Sequence, residues 1–319
     1  MRRINLHIAH CLVAFAVLCA TPGYSQQQTD PLAEMRSLLD AGRLAEAESS
    51  ARNYLAMHAS SADAHFLLGY ILFREQKPKE SLEEFTAGAS FRRPGADDFK
   101  IVASDYVILR DYADADKWFS EAVAANPNDA DTWYLLGRTK FNENNFADSI
   151  SNFEHALTLR PKYIEAENNI GLAWRELNDS EKAKMAFQTA IEWQGSAPVD
   201  AQPFLNLGTL LAEQNEFDRA IPPLEKAVGL APENPTVHET LGKAYMGLQN
   251  LPKAQSELER AIALSPDTSS LHFKLGQIYR KQGLRQRAEH EFEICSKLSS
   301  TNSSSKTPNP LVLNHPEPH

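Results

Sequence analysis

Apolar positions recur along this chain in two alternating helical patterns. Between Asp129 and Pro161 the first pattern carries Trp133, Leu136, Gly137 and Phe141. The second carries Phe146, Ile150, Phe153, Ala156, Leu157 and Leu159. Spacings of i, i+3, i+4 and i+7 place each set on one face of a helix. The polar stretch Asn142-Glu143-Asn144-Asn145 separates the two, and Pro161 stops the second. Asn145 with Asp148 predicts a box-like cap at the second helix. Asp111 with Asp114, Asn178 with Glu181, and Asn215 with Asp218 predict the same device elsewhere. A helix pair this short cannot bury its apolar faces alone and requires a neighbour.

The chain supplies neighbours at a step of 34 residues. From Gly137 the register leads on to Gly171 and back to Ala103 and Gly69; after a three-residue insertion it resumes at Gly208, Gly242 and Gly276. Twelve residues after each comes a second small residue: Ser81, Ala115, Ser149, Ala183, Ala220, Ala254 and Ala288. Four further on stands a bulky one: Phe85, Phe119, Phe153, Phe187, Leu224, Leu258 and Phe292. Three beyond that is small again: Gly88, Ala122, Ala156, Ala190, Ala227, Ala261 and Cys295. Most units close on proline: Pro94 (one late), Pro127, Pro161, Pro232 and Pro266. Small residues let helix backbones approach closely, and the bulky one fills the gap between them.

A helix–turn–helix unit of this length, with W-x2-L-G-x2-Y, then A-x3-F-x2-A and a final proline, resembles the tetratricopeptide repeat. Seven units share one frame. A degenerate eighth, residues 28–61, keeps Ala47 but has Met35 for the glycine and Ala51 for the aromatic. The resemblance implies an all-α chain, a right-handed superhelical solenoid of about eight repeats. Their bounds are 28–61, 62–95, 96–129, 130–163, 164–197, 201–234, 235–268 and 269–302. Ser196 to Asp200 lengthens one turn. Pro222 and Pro223 either sit in the first turn of the sixth repeat's second helix or delay its start.

The ends read differently. Arg2 and Arg3 precede an apolar run of ten residues, Cys11 to Ala20, too short to span a bilayer. Gly23 and Ser25 then offer a small-residue cleavage site. Residues 1–25 therefore read as a secretory signal cut before Gln26, and the mature chain, 26–302 with its tail, is expected to be periplasmic or secreted. Retention as an uncleaved anchor, or lipid attachment at Cys19, are the alternatives. Residues 303–319 hold four prolines and read as a disordered tail. Its single apolar cluster, Leu311-Val312-Leu313, is expected to dock on the last helix, unless two molecules meet there.

Charge narrows the partners. The 319 residues carry a formal net charge of −10. Residues 1–25 contain no acid, so their removal leaves the remainder more acidic still. An acidic chain with no basic, aromatic-interleaved stretch is a poor match to nucleic acid. Of three cysteines only Cys295 falls in the repeats, at a position elsewhere given to Ala or Gly. It reads as a small buried residue.

No P-loop, G-x-S-x-G, H-E-x-x-H or paired CxxC occurs. Neither catalysis, metal nor cofactor is expected. His238 and His272 share one frame position and read as packing residues. Asp63, Asp97, Asp131 and Glu165 recur at another, where each favours the positive end of its own helix; an acidic stripe for a basic partner is the alternative.

The resemblance implies a concave groove lined by the first helices, which takes a protein or peptide partner. By the frame the groove residues are Phe66, Tyr70, Phe73, Tyr134, Arg138 and Phe141 toward the N-terminal half. Toward the C-terminal half they are Asn168, Asn169, Arg175, Asn206, Lys243, Phe273 and Arg280. Packing within the solenoid is the alternative for the aromatics. No three successive repeats supply the lysine, asparagine and arginine set of a chaperone-type carboxylate clamp. Asn169 and Asn206 give two rungs of the asparagine ladder seen in glycosyltransferase members. The expected function is a non-enzymatic exported scaffold; the alternative is an assembly subunit that self-associates through its repeat ends.

Overall fold

The computed structural model describes residues 32–302. The predicted signal segment, the polar lead and the tail with Leu311–Leu313 lie outside them. Among the described residues sixteen helices form eight hairpins: α1 (Ala33–Asp40) with α2 (Leu44–Met57), α3 (Ala62–Arg74) with α4 (Pro78–Ala89), α5 (Ala96–Ile108) with α6 (Tyr112–Ala125), and α7 (Ala130–Asn142) with α8 (Phe146–Leu159). There follow α9 (Ile164–Glu176) with α10 (Ser180–Gln194), α11 (Gln202–Glu213) with α12 (Phe217–Leu230), α13 (Pro235–Gly247) with α14 (Leu251–Leu264), and α15 (Ser269–Lys281) with α16 (Arg285–Asn302). Each second helix packs on its own first helix and on the next repeat's first helix. First helices also meet in series, α3 with α5 and α7 with α9, α11 and α13 in turn. The result is an all-α solenoid whose core is a row of nearest-neighbour contacts.

The small-and-bulky pattern has a direct geometric cause. A methyl group added to Gly137 would stand 2.7 Å from Cδ1 of Phe153, and one on Gly171 would stand 2.5 Å from Cε1 of Phe187. The same clash arises between Gly69 and Phe85, Gly208 and Leu224, and Gly276 and Phe292. Where the second small residue is serine it gains a bond: Ser81 and Ser149 donate to the carbonyls of Gly69 and Gly137 at 2.8 Å each.

The turn between the two helices is the same in every repeat. Its fifteenth residue has positive φ: Gly42, Gln76, Arg110, Asn144, Asn178, Asn215, Gln249 and Gly283. This left-handed residue lets the following amide return to the first helix, as Asn145 N–H does to Lys140 O at 2.9 Å. It also relocates several predicted caps. Asn178 and Asn215 occupy the left-handed position, so the residue before α10 is Asp179, which accepts from Lys182 N–H at 3.1 Å. Before α12 stands Glu216, with no side-chain cap. Asn145 does precede α8, but its amide donates to Asp148 Oδ2 at 2.7 Å instead of accepting a backbone N–H. The Asp111 cap forms, accepting from Asp114 N–H at 3.2 Å.

One further expectation is revised. Pro222 and Pro223 lie neither in the first turn of α12 nor before it; the helix starts at Phe217 and runs through both. The last helix, α16, runs to Asn302, the bound of the eighth repeat. The insertion after α10 is tied down by one side chain: Gln194 Oε1 accepts from Val199 and Asp200 N–H at 3.1 and 2.9 Å, while its amide donates to Asp200 O at 3.1 Å. Gly195, which caps α10 just before the insertion, has φ +68°.

Candidate functional site

The first helices present the fifth, ninth, twelfth and thirteenth residues of each repeat along one face. These positions follow the inter-repeat seam, and the neighbour decides whether each is open or covered. The N-terminal half of the face is aromatic and half-exposed. Tyr70 stacks with Phe73 at 6.4 Å between centroids, and Arg74 lies 5.9 Å over the Tyr70 ring, its Nη1 donating to Oη at 3.4 Å. Phe141 meets Phe146 edge-on at 5.2 Å. Arg138 is half-buried, its guanidinium 5.8 Å from the Tyr134 ring, and its Nε–H is buried with no hydrogen-bond partner in the protein.

Five predicted groove residues are turned inward. Phe66 is buried because Gly88, in α4, has no side chain; a methyl there would stand 2.5 Å from Phe66 Cε1. Tyr134 is buried against Phe153 and Tyr163, at 5.6 and 4.9 Å, and its Oη accepts from Asn169 Nδ2 at 3.0 Å. Burial raises the Tyr134 phenol above its ordinary range. Asn206 Nδ2 donates to Asn168 Oδ1 at 2.9 Å, and Gln202 Nε2 donates to Asn206 Oδ1 at 2.9 Å. The two asparagine rungs thus join α7 to α9 and α9 to α11, with those amide groups engaged within the protein. Their job is to satisfy polar groups buried at the seam.

The C-terminal half is open and cationic. Lys243, Phe273 and Arg280 are exposed, Phe273 by 47%, and Arg280 lies 5.8 Å over the Phe292 ring. Arg175 is half-exposed and meets Glu176 at 3.4 Å. Ala212, Lys243, Met246, Gly247 and Lys281 border a depression of about 400 Å³. Its wall is set by Phe217, whose Cδ2 would stand 2.5 Å from a methyl on Gly247. Arg74, Met246 and Lys281 escaped the sequence reading, although the same frame positions point to them.

The fourth position of each repeat does a structural job. Trp133 Nε1 donates to Pro127 O at 2.9 Å. Histidine replaces tryptophan in three repeats, and Nε2 meets the carbonyl six residues back: His65 with Ala59, His238 with Pro232 and His272 with Pro266, at 2.9–3.0 Å. On the other side Nδ1 meets Glu84, Glu257 and Glu291 at 2.6–2.7 Å. The packing role expected of His238 and His272 is therefore a hydrogen-bonded latch between repeats. Glu167 holds this position in the fifth repeat; burial, and then the Glu154 charge, push its carboxyl up to about 7. The acidic positions are likewise occupied: Asp131 binds Arg160 through two bonds of 2.8 Å, and Asp63 meets Arg92 at 3.0 Å. Cys295 is half-buried, where its counterparts are covered by a following repeat. Among the described residues no group of three or more His, Cys, Asp or Glu side chains gathers to hold a metal. No helix there is long and apolar enough to cross a membrane.

Three tetratricopeptide repeat models match this chain, at residues 32–97 and 168–235, at 130–163, and at 211–278. The chain belongs to the tetratricopeptide repeat family. Protein FlbA of Caulobacter vibrioides is 29% identical over 136 residues, which are 43% of this chain and 22% of FlbA. Protein O-mannosyl-transferase TMTC3 of Mus musculus is 24% identical over 149 residues, 43% of this chain and 16% of that protein. The chain thus spans less than a quarter of these relatives. In structure it resembles the C-terminal part of a tetratricopeptide repeat protein from Cytophaga hutchinsonii, with TM-score 0.60 and 16% identity. That likeness covers 76% of this chain and 99% of the other. The repeats form an all-α solenoid whose seam residues are structural and whose open face carries the aromatic and cationic side chains just described.

Proposed function

We propose that this protein is an exported, non-enzymatic scaffold that holds a protein or peptide partner on the face of its first helices. The observation carrying this reading is the open set Tyr70, Phe73, Arg138, Phe141, Lys243 and Arg280 on the first helices α3, α7, α13 and α15. Aromatic and arginine side chains at the centre of an interface supply most of its energy. The Arg2-Arg3 start and the apolar run to Ala20 support export. Changing Tyr70, Arg138 and Phe141 together to Ala should abolish capture of the crosslinked native partner while the helical CD signal stays near that of the parent. Partner capture that survives this change and fails on altering second-helix residues overturns the reading. Intact mass of the exported protein tests the leader: a chain starting near Gln26 is expected, and a retained Met1 refutes it.

A second reading, self-association through the repeat ends, is favoured by one observation. Phe292 and Cys295 are half-buried, whereas Phe153, Phe187, Ala156 and Ala190 at the same positions are fully buried. Sedimentation that shows a monomer at all concentrations rules it out.

A further inference from the structure

The cations of this protein fall into two groups. Many are matched to carboxylates: Lys77 to Glu48, Lys100 to Asp129, Lys140 to Asp116, Arg160 to Asp131, Arg175 to Glu176, and Lys274 to Glu239. A second group, on the open face of the first helices, is unmatched. Among the described residues Arg74, Arg138, Lys243 and Arg280 make no ion pair, and Lys281 reaches only Gln249, at 3.5 Å. Fully solvated cations need no partner, but Arg138 is not fully solvated. It is held against the Tyr134 ring with no carboxylate beside it, and its enclosed Nε–H has no acceptor in the protein. Positions of the same frame that carry these cations also carry Tyr70, Phe73, Phe141 and Met246.

From this we infer the chemistry of the partner: an acidic peptide segment that also carries aromatic or aliphatic side chains. The inference rests on the scaffold reading above and names the class of ligand for the same face. The charge argument is one of complementarity. The chain as a whole carries −10, so an acidic partner is repelled from most of its surface and drawn only to this strip. Arg138 is half-buried beside the Tyr134 ring, and a carboxylate would accept from the outer Nη groups of its guanidinium. Lys243 and Lys281, against the single carboxylate of Glu213, border the depression beside Met246, which suits an apolar side chain next to an acidic one. A basic segment would leave these cations unmatched and meet like charge on α3, α7, α13 and α15.

The experiment is selection from a random peptide library on the full mature protein, repeated on R138E/K243E/R280E and on Y70A/F141A. Enriched peptides should carry excess Asp and Glu with at least one aromatic or aliphatic residue. Their affinity should fall steeply with added salt and drop about tenfold or more on the charge-reversed variant. A pool enriched on the parent but neutral or basic, or one retained unchanged by the charge-reversed variant, overturns the acidic class and leaves the groove reading in place. A pool retained by both variants, or no enrichment on parent protein that is folded by CD, overturns the groove reading as well.

Discussion

Asn169 donates from Nδ2 to the phenol oxygen of Tyr134 at 3.0 Å, joining the first helices of two successive repeats in a buried site. A residue placed in the groove by its frame position is thereby a structural one. Replacing Tyr134 with Phe keeps the packing against Phe153 and Tyr163 and removes only the acceptor. The stranded amide should lower stability by about 1–3 kcal/mol. Denaturant unfolding, with hydrogen exchange followed in α7 and α9, would measure this. An unchanged midpoint would show that the amide finds another partner.

Asp105 is the least satisfied side chain in the solenoid. It is fully buried, neither oxygen has a hydrogen-bond partner, and the nearby Ser81 hydroxyl donates to Gly69. Burial pushes its carboxyl up to about 7. A carboxyl raised in the folded state binds its proton before the unfolded chain does. Stability from this group is therefore greatest below about pH 4 and is lost as pH rises to about 7. Asp105→Thr copies Thr139, whose hydroxyl at the same frame position donates to Leu135 O at 3.0 Å. It should raise stability at pH 8 by roughly 2–4 kcal/mol and flatten the slope between pH 4 and 7. Unfolding curves across that range would show it, and Glu167→Gln should act in the same direction.

The left-handed residue in each hairpin turn offers a paired test. Arg110, at φ +61°, is exposed, and Gly283, at φ +81°, has open space where a methyl would go. Arg110→Gly should stabilise its hairpin by about 0.5–1 kcal/mol, since a non-glycine residue is strained there. Gly283→Ala should destabilise by a similar amount, through backbone strain alone. Opposite shifts in the thermal midpoint are expected.

Pro222 and Pro223 remove the amides that would bond to Asp218 and Arg219 within α12. Pro222 is exposed, so its replacement disturbs no core. Pro222→Ala should stabilise the protein by about 1–3 kcal/mol, reading as slower exchange in α12. No gain would mean that the helix has already adapted its backbone to the ring.

What the sequence determined by itself is the step of 34 residues and everything local to it. The helix pairs, the polar turns and the match of Gly137 to Phe153 or Gly171 to Phe187 recur in one frame, because each arises within a single hairpin. The open cations Arg138, Lys243 and Arg280 were legible for the same reason: the frame places the ninth and twelfth positions on the exposed face. What only the tertiary structure decided lies between hairpins. Tyr134 is covered because Tyr163, which ends its own repeat, and Asn169, in the next, close over it. Asn168 and Asn206 find each other across 38 residues of chain. Phe273 remains open for the opposite reason, since no described helix follows α16 to cover it. Frame position says which way a residue faces, but burial is set by the neighbour's size and hydrogen-bonding groups, which no periodicity within one repeat contains.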